Sequence, residues 1–521
     1  MSKPALDNIT NVIVIMFENR SFDHLLGAMP GVNGLFVNQS PNPGIYNYVN
    51  PLSPQNNAQT PFGITPGSSE QTYTTDYDHE FTAMLVDIYG PGTTGVLSGS
   101  PQNNPAPSTL SPQTNSGFVA QNQGSFSGQP NYPNQYSVMS YFEWPSMPVF
   151  HTLAQSYVVC DNWFCDMPGH TAPNRAFMHC ATTGDIGICD DDKVGPTNMV
   201  NSLTIFEQIQ KNGATWKMYW PGSNCDTNWL NEQVVSQRYD PDGPENQTNV
   251  TEVPIANFFT DLQNGNLPFY SFIMCWNDIW GEDTSMHPSS LVEPGEALLA
   301  KIYHAWLESP HCLNTLLVVT FDENGGIYDH VVPPGSFAPD SQNPVSYWPP
   351  DTDTYCYDFT TLGVRVPVLL ISPWLSPGIL GSPQGVQFQN TSILRFLQDM
   401  LPGADPRHPY HLTQRDLNAP SIASAFHYFG AKAARTDVAK LKPARPIPGV
   451  TVAPTEAQLA AKPSPLIDKM SRQYLAALPG HADSGKPVTR PFASVSDMRA
   501  YAKERSDAAQ AYIAAKRMAQ R

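Results

Sequence analysis

The sequence predicts an α/β fold: a mostly parallel sheet with helices on both faces, long loops and a helical C-terminal tail. Three observations point there. Residues 12–17 (VIVIMF) and 315–321 (TLLVVTF) are apolar runs without polar alternation, as in strands buried on both faces. Strand-like and helix-like segments alternate along most of the chain. The 521 residues are 40% hydrophobic and 11% aromatic, enough for one large domain and something smaller.

The first run lies in the stretch NVIVIMFENRSFDHLLG and stops at Glu18-Asn19-Arg20. In open α/β sheets, ligands sit beyond the carboxyl ends of strands, which is where Glu18 and Asn19 fall. Residues 28–140 follow, an insert rich in Asn, Pro, Gly, Gln, Ser and Thr. Such composition usually means surface loop or disorder. The aromatics Tyr73, Tyr77, Phe118, Phe126, Tyr132 and Tyr136 favour ordered loops, lids over a site. One helical piece, 78–85, carries His79, unremarkable alone because most histidines are structural or exposed.

Residues 137–165 read as helix then strand, ending VVCDNWF. The next stretch, MPGHTAPNRAF, has a Gly turn and then Thr171 with Pro173 two positions on, a helix N-terminus. Most threonines there only cap the helix. A helix N-terminus also favours phosphate, and a hydroxyl beside a metal can act as a nucleophile. Helices are expected at 203–212, 255–263, 293–309 and 391–401, and strands at 215–220, 267–275, 315–321 and 366–371. Residues 496–521 are strongly helical with heptad-like apolar spacing broken by Arg505, which favours an oligomerisation arm over a helix packed on its own body.

The run at 315–321 ends in Asp322-Glu323-Asn324-Gly325-Gly326. If it neighbours the first run, Glu18, Asn19, Asp322 and Glu323 converge. Carboxylates so gathered repel each other unless a cation lies among them. Oxygen ligands of this kind suit a hard divalent cation such as Ca2+, Mg2+ or Mn2+.

Charge divides the chain. The net charge is −18, yet residues 431–521 hold 16 Lys/Arg against 7 Asp/Glu while the rest holds 12 against 39. That suggests a catalytic body at 1–430 and a basic arm at 431–521, for association or docking. No run of eighteen or more apolar residues encodes a transmembrane helix. The start, MSKPALDNIT, has no apolar signal region, so the expectation is a cytoplasmic protein or one exported by a non-classical route. The eight cysteines form no CxxC pair, which weakens zinc and thioredoxin readings and leaves thiols and disulfides equally open.

The motifs FENRSFDHLLG, PGHTAPNR, MHP and FDENGGIYDHVVPP resemble the bacterial and plant phosphoesterase family of non-specific phospholipases C and AcpA-type acid phosphatases. The resemblance spans roughly residues 8–402. It implies an alkaline-phosphatase-like α/β/α sandwich and metal-assisted phosphoryl transfer. Carried over by position, Glu18, Asn19, Asp322 and Glu323 bind the metal together with Thr171, the nucleophile. His79 and His287 would hold phosphoryl oxygens or protonate the leaving group, and Arg175 would help hold the oxygens. The metal would be Ca2+ first, with Mg2+, Mn2+ or Zn2+ as alternatives. Met286, His170, Ala172 and Asn390 depart from the family pattern and would tune substrate choice. His330 matches the family, and a structural role is expected for it.

The leading expectation is a phospholipase C acting on phosphatidylcholine-type phospholipids. Trp163, Trp216, Trp220, Trp276 and Trp280 are candidates for a choline pocket, although such residues usually lie in cores. The first alternative is a broad acid phosphomonoesterase. An alternative of another class is a non-catalytic module docking on a membrane or partner, against which the complete ligand set argues. A transient membrane-surface contact and a homo-oligomer through the C-terminal helix are the partners expected, and no nucleic acid.

Overall fold

A computed structural model describes residues 5–48, 58–66, 77–90, 113–125, 136–184, 202–220, 250–275, 284–288, 291–339, 346–347 and 356–440, and the isolated 493–494, 497 and 501. Eight strands form the central sheet: β1 (Asn11–Phe17), β2 (Val158–Cys160), β3 (Trp216–Trp220), β4 (Val250–Pro254), β5 (Tyr270–Met274), β6 (Thr315–Phe321), β7 (Val368–Ile371) and β8 (Gly378–Leu380). Their order is β4-β3-β5-β1-β6-β7-β2-β8. β1 lies between β5 and β6, with Ile15 opposite Ile273 and Val319. Every residue of β1 and β6 is buried, so both faces are covered, as the unbroken apolar runs require. Each side chain from Val12 to Phe17 is fully buried, and full burial of such a side chain stabilises by about 1.5–3 kcal/mol.

Seven strands run one way and β7 runs against its neighbours β6 and β2. The expected strand at 366–371 is therefore real but reversed within a mostly parallel sheet. Its link to β8 is the short SPWLSP, and a parallel connection needs about a dozen residues or more. The edge strands β4 and β8 are not evident in the sequence.

Among the helices are α1 (Phe22–Leu26), α2 (Phe81–Tyr89), α3 (Thr171–Cys180), α4 (Ile205–Lys211), α5 (Ile255–Asn264), α6 (Glu293–Leu307) and α7 (Thr391–Met400), with others between and beyond them. Helix α4 begins at a capping box, Thr204 with Glu207. Two helical layers follow from one strand. Trp216 of β3 packs on Phe206 of α4, whereas Tyr219 packs on Phe258 of α5. Residues three apart on a strand face opposite sides, so α4 and α5 cover opposite faces of the sheet.

The insert is ordered where it is described. Leu35, Ile45, Tyr77, Phe81, Met84, Leu85, Ile88, Phe118, Val119 and Val138 form a second apolar cluster with Met167, Phe177, Ile327 and Tyr328 from the body. The insert is thereby fastened around the turn before α3. Tyr73, Phe126 and Tyr132 lie outside the described residues, as does most of the expected helix at 496–521. The body continues past the expected boundary at 430. Arg435 donates to Ser156 O and Leu375 O and lies over the Tyr157 ring, and Val438 is buried.

Among the described residues, no helix is long and apolar enough to cross a membrane. Cys160, Cys165 and Cys312 carry free thiols, while Cys189 and Cys225 lie outside the described residues. Trp163 and Trp216 are core residues, which removes them from the choline candidates: Trp163 stacks on Phe388 and donates to Asn390 Oδ1. Trp276 and Trp280 lie outside the described residues.

Candidate active site

β1 and β6 are in register, so the residues that follow them leave the sheet side by side. The Asn19 N–H donates to Asp322 Oδ1 at 3.1 Å, and the Glu323 N–H donates to the same oxygen at 2.8 Å. Asn19 has a left-handed backbone with φ 59°. Gly325, at φ 62°, lies against it, and a Cβ there would come 2.6 Å from Asn19 O. Only glycine permits this approach. The Gly325 N–H in turn donates to Glu323 Oε2.

Arg175, on the second turn of α3, lies between the two strand ends. Its Nη2 donates to Glu18 Oε1 at 2.9 Å and its Nε to Asp322 Oδ2 at 3.0 Å. Burial alone would lower the pKa of this guanidinium, but Asp322 and Glu18 more than offset that and hold it above its usual value. Two of its three nitrogens thus face carboxylates, and Nη1 is buried without a hydrogen-bond partner. The sequence reading gave Arg175 to phosphoryl oxygens; the structure places it first on the acidic pair.

Thr171 opens α3. The N-cap is His170, which makes no side-chain capping bond. The Thr171 hydroxyl is not spent on capping either and points to Asn19 Oδ1 at 3.4 Å. Asn174 fixes the preceding turn, accepting from the Met167 N–H and donating to the carbonyls of Met167, Gly169 and His170. The PNR motif thus supplies a turn lock in Asn174 and a carboxylate clamp in Arg175.

Both predicted histidines meet Asn19. Its Nδ2 lies 3.2 Å from His79 Nε2 and 2.9 Å from His287 Nε2. His79 Nδ1 is 2.6 Å from Tyr77 O. A carbonyl only accepts, so Nδ1 carries the proton and Nε2 accepts from Asn19. His79 Nε2 also lies 3.5 Å from Glu323 Oε1. Glu18, Asn19, His79, Thr171, Arg175, His287, Asp322 and Glu323 therefore form one connected cluster.

Its charge argues for a divalent cation. Glu18, Asp322 and Glu323 are at most 4% exposed and carry three negative charges, against one positive charge on Arg175. A buried excess of two negative charges and an all-oxygen donor set fit Ca2+, Mg2+ or Mn2+.

Among the described residues, Asp23, Asp329 and His330 are the group of acidic and histidine ligand atoms within 4.8 Å of one another. Its cation is already part of the chain. Arg365 donates to Asp329 at 3.1 Å and to Asp23 at 2.9 Å, and His330 Nδ1 lies 2.7 Å from Asp23 Oδ2. Burial would raise the Asp23 pKa, but His330 and Arg365 outweigh it and hold it low. Burial would lower His330, but Asp23 outweighs that and raises it. This is an ion-pair network joining α1 to the segments that carry Asp329-His330 and Arg365.

Sequence reasoning missed Asp166 and gave Asn390 to substrate choice rather than to support of the strand end. Asn390 donates to Phe321 O and Asp322 O and accepts from Thr320 and Trp163, which fixes the end of β6. Asp166 accepts from the Thr391 N–H and hydroxyl, and burial pushes its pKa up to about 6. Asp166 belongs to no motif that bears chemistry, so only its long-range contacts reveal it, and the same kind of contact reveals what Asn390 does.

The sequence profile described as "Phosphoesterase family" matches residues 9–401. Non-specific phospholipase C3 of Arabidopsis thaliana is 31% identical over 399 residues, covering 74% of this chain and 68% of that protein. Non-specific phospholipase C5 of the same plant is 29% identical over 431 residues, covering 80% and 74%. Phospholipase C B of Mycobacterium tuberculosis is 26% identical over 448 residues, covering 81% and 78%. Among solved structures, a protein in the alkaline phosphatase superfamily from Vibrio parahaemolyticus is 13% identical over 53% of this chain and 65% of that one, with a TM-score of 0.30. The chain belongs to the Phosphoesterase family and is a phosphoric ester hydrolase.

Proposed function

We propose that the chain is a metal-dependent phospholipase C that cleaves phosphatidylcholine-type phospholipids through a phosphothreonine on Thr171. The observation that carries this reading is the Thr171 hydroxyl. It heads a helix without capping it and points at Asn19 beside a buried, net-negative oxygen cluster. The names of the relatives support the substrate class.

Glu18, Asn19, Asp322, Glu323 and Thr171 would hold the metal. When bound, the metal supplies Lewis acidity that favours the ionised Thr171 hydroxyl and neutralises phosphoryl charge. Thr171 Oγ1 attacks phosphorus in line and the bond to the glycerol oxygen breaks. The helix dipole at the start of α3 favours the negative charge of the phosphoryl oxygens. His287, half-buried, donates a proton to the departing diacylglycerol oxygen, and His79, pinned through Nδ1, orients the oxygens. Water then takes the diacylglycerol's place, His287 accepts its proton, and the bond from Thr171 to phosphorus breaks to release the phosphorylated headgroup.

The test assays purified protein on phosphatidylcholine and on p-nitrophenyl phosphate, each with EDTA and then with Ca2+ restored. Phosphocholine release that is lost to EDTA and regained with Ca2+, with little monoester turnover, supports the reading. Preference for the monoester replaces it with an acid phosphatase. Activity indifferent to chelation refutes the metal.

A further inference from the structure

His287 is held in place from three sides. The Glu18 N–H donates to Ser285 O at 2.9 Å, which ties this stretch to the end of β1. Arg20 Nε donates to Met286 O at 2.6 Å. The buried Met286 side chain fills a notch over α6 that exists because residue 295 is glycine: a Cβ there would lie 2.4 Å from Met286 Cγ. Met286 itself has φ 66°, a left-handed backbone that persists in a non-glycine residue only when its surroundings over-determine it. A charged donor on its carbonyl is the strongest of these constraints.

Arg20 is aimed in turn. Its Nη1 lies 2.9 Å from His24 Nε2, and His24 Nδ1 lies 2.7 Å from Ser140 O. A carbonyl only accepts, so Nδ1 carries the proton and Nε2 accepts from Arg20. Burial, together with the Arg20 charge, holds the His24 pKa well below the usual imidazole value, in the state that keeps this lone pair. The chain of contacts runs from Ser140, at the end of the insert, to the loop that bears His287.

We propose that Arg20 is a positioning residue for His287: aimed by His24, its guanidinium clamps the Met286 carbonyl and sets His287 against Asn19 for protonation of the leaving group. The inference rests on the reading of His287 as the leaving-group acid.

The test uses the full chain and two choline diesters that differ only in leaving group, phosphatidylcholine and p-nitrophenylphosphorylcholine. A nitrophenolate leaves without a proton, whereas the glycerol oxygen needs one. Arg20→Lys should lower kcat/KM, which reports only the steps through departure of the leaving group, on phosphatidylcholine by about 10–100-fold, the effect of roughly 1 Å of misplacement, with little change on the nitrophenyl ester. Gly295→Ala should reproduce the split from the opposite side of the loop, and it serves if Arg20→Lys fails to fold. An equal fall on both substrates in these variants marks a merely structural residue and overturns the proposal. His287→Asn separates the two readings. If it shows the split while Arg20→Lys and Gly295→Ala do not, the positioning role of Arg20 is overturned and the acid stands. If it shows no split, the acid reading fails and the proposal falls with it.

Discussion

Arg175→Met removes the guanidinium from between Glu18 and Asp322 at nearly constant volume. The three carboxylates of the cluster then keep three negative charges at no more than 4% exposure. Removing one partner of a buried pair costs about 3–5 kcal/mol. Unfolding entropy near 2.1 cal/mol/K per residue gives roughly 0.8 kcal/mol/K for a body of about 400 residues. In EDTA, the melting temperature of the variant should therefore fall by about 4–6 °C, read by scanning fluorimetry. A cation among the same oxygens reverses part of this loss. Ca2+ binding stabilises both proteins, and the more negative variant should bind it more tightly than the parent. A tenfold difference in Kd is about 1.4 kcal/mol, so the gap between variant and parent should narrow by about 1.5–2 °C on adding saturating Ca2+. An equal gap with and without Ca2+ would refute the placement of Glu18 and Asp322 in a cation centre. No gap in EDTA would refute the clamp.

Other expectations follow from the same geometry. Thr171→Ala should abolish turnover, by at least about 10³-fold, with the melting temperature unchanged within about 1 °C; near-parental activity sinks the nucleophile. Gly325→Ala forces a side chain against Asn19 in a left-handed backbone, so kcat should fall far more than the roughly 1–3 kcal/mol of lost stability explains. Glu296 accepts from the Val149 and Phe150 N–H groups, and burial pushes its pKa up to about 7 from 4.5. Between those two values the unfolded chain loses a proton that the fold keeps, so stability falls by about 3 kcal/mol as pH rises through that window. Glu296→Gln keeps the accepting oxygen without the charge and should have the higher urea midpoint at pH 8 but not at pH 4; parallel pH profiles would contradict this. Deleting residues 441–521 should lower the number of subunits measured by light scattering if the basic arm associates; an unchanged number with salt-sensitive loss of vesicle binding would make it a docking arm.

Much of this was legible because two signals are local. The apolar runs of β1 and β6 and their acidic ends need only a window of a dozen residues, and they located both the centre of the sheet and the cluster. Thr171 was legible as a helix start, though not that its hydroxyl would be left uncapped. Other features depend on contacts that no window holds. β4 and β8 are short, with a Pro or Gly at one end, and carry weak strand signals. β7 has the composition of a parallel strand, and only the short link to β8 dictates its reversal. Arg175 looked like an anion holder because its partners lie 157 and 147 residues away. The Arg365 network joins residues 342 and 36 apart, and it presents ligand types that imitate a metal site until the guanidinium is seen among them.

The position of β1 has a consequence in time. It precedes both its partners in the chain by roughly 250 residues or more, and it ends up in the middle of the sheet, paired with strands that start at Tyr270 and Thr315. At about 5–20 residues per second, a ribosome needs roughly 15–60 s to deliver β6 after β1 has been made. For most of that interval, until β5 is made, NVIVIMF, an uncharged strand, has no native neighbour in the sheet. The nascent chain thus shows its stickiest segment earliest and covers it late. Any fragment that stops short of residue 315 should aggregate through β1 rather than fold, and the acidic cluster assembles only once β6 has closed over that strand.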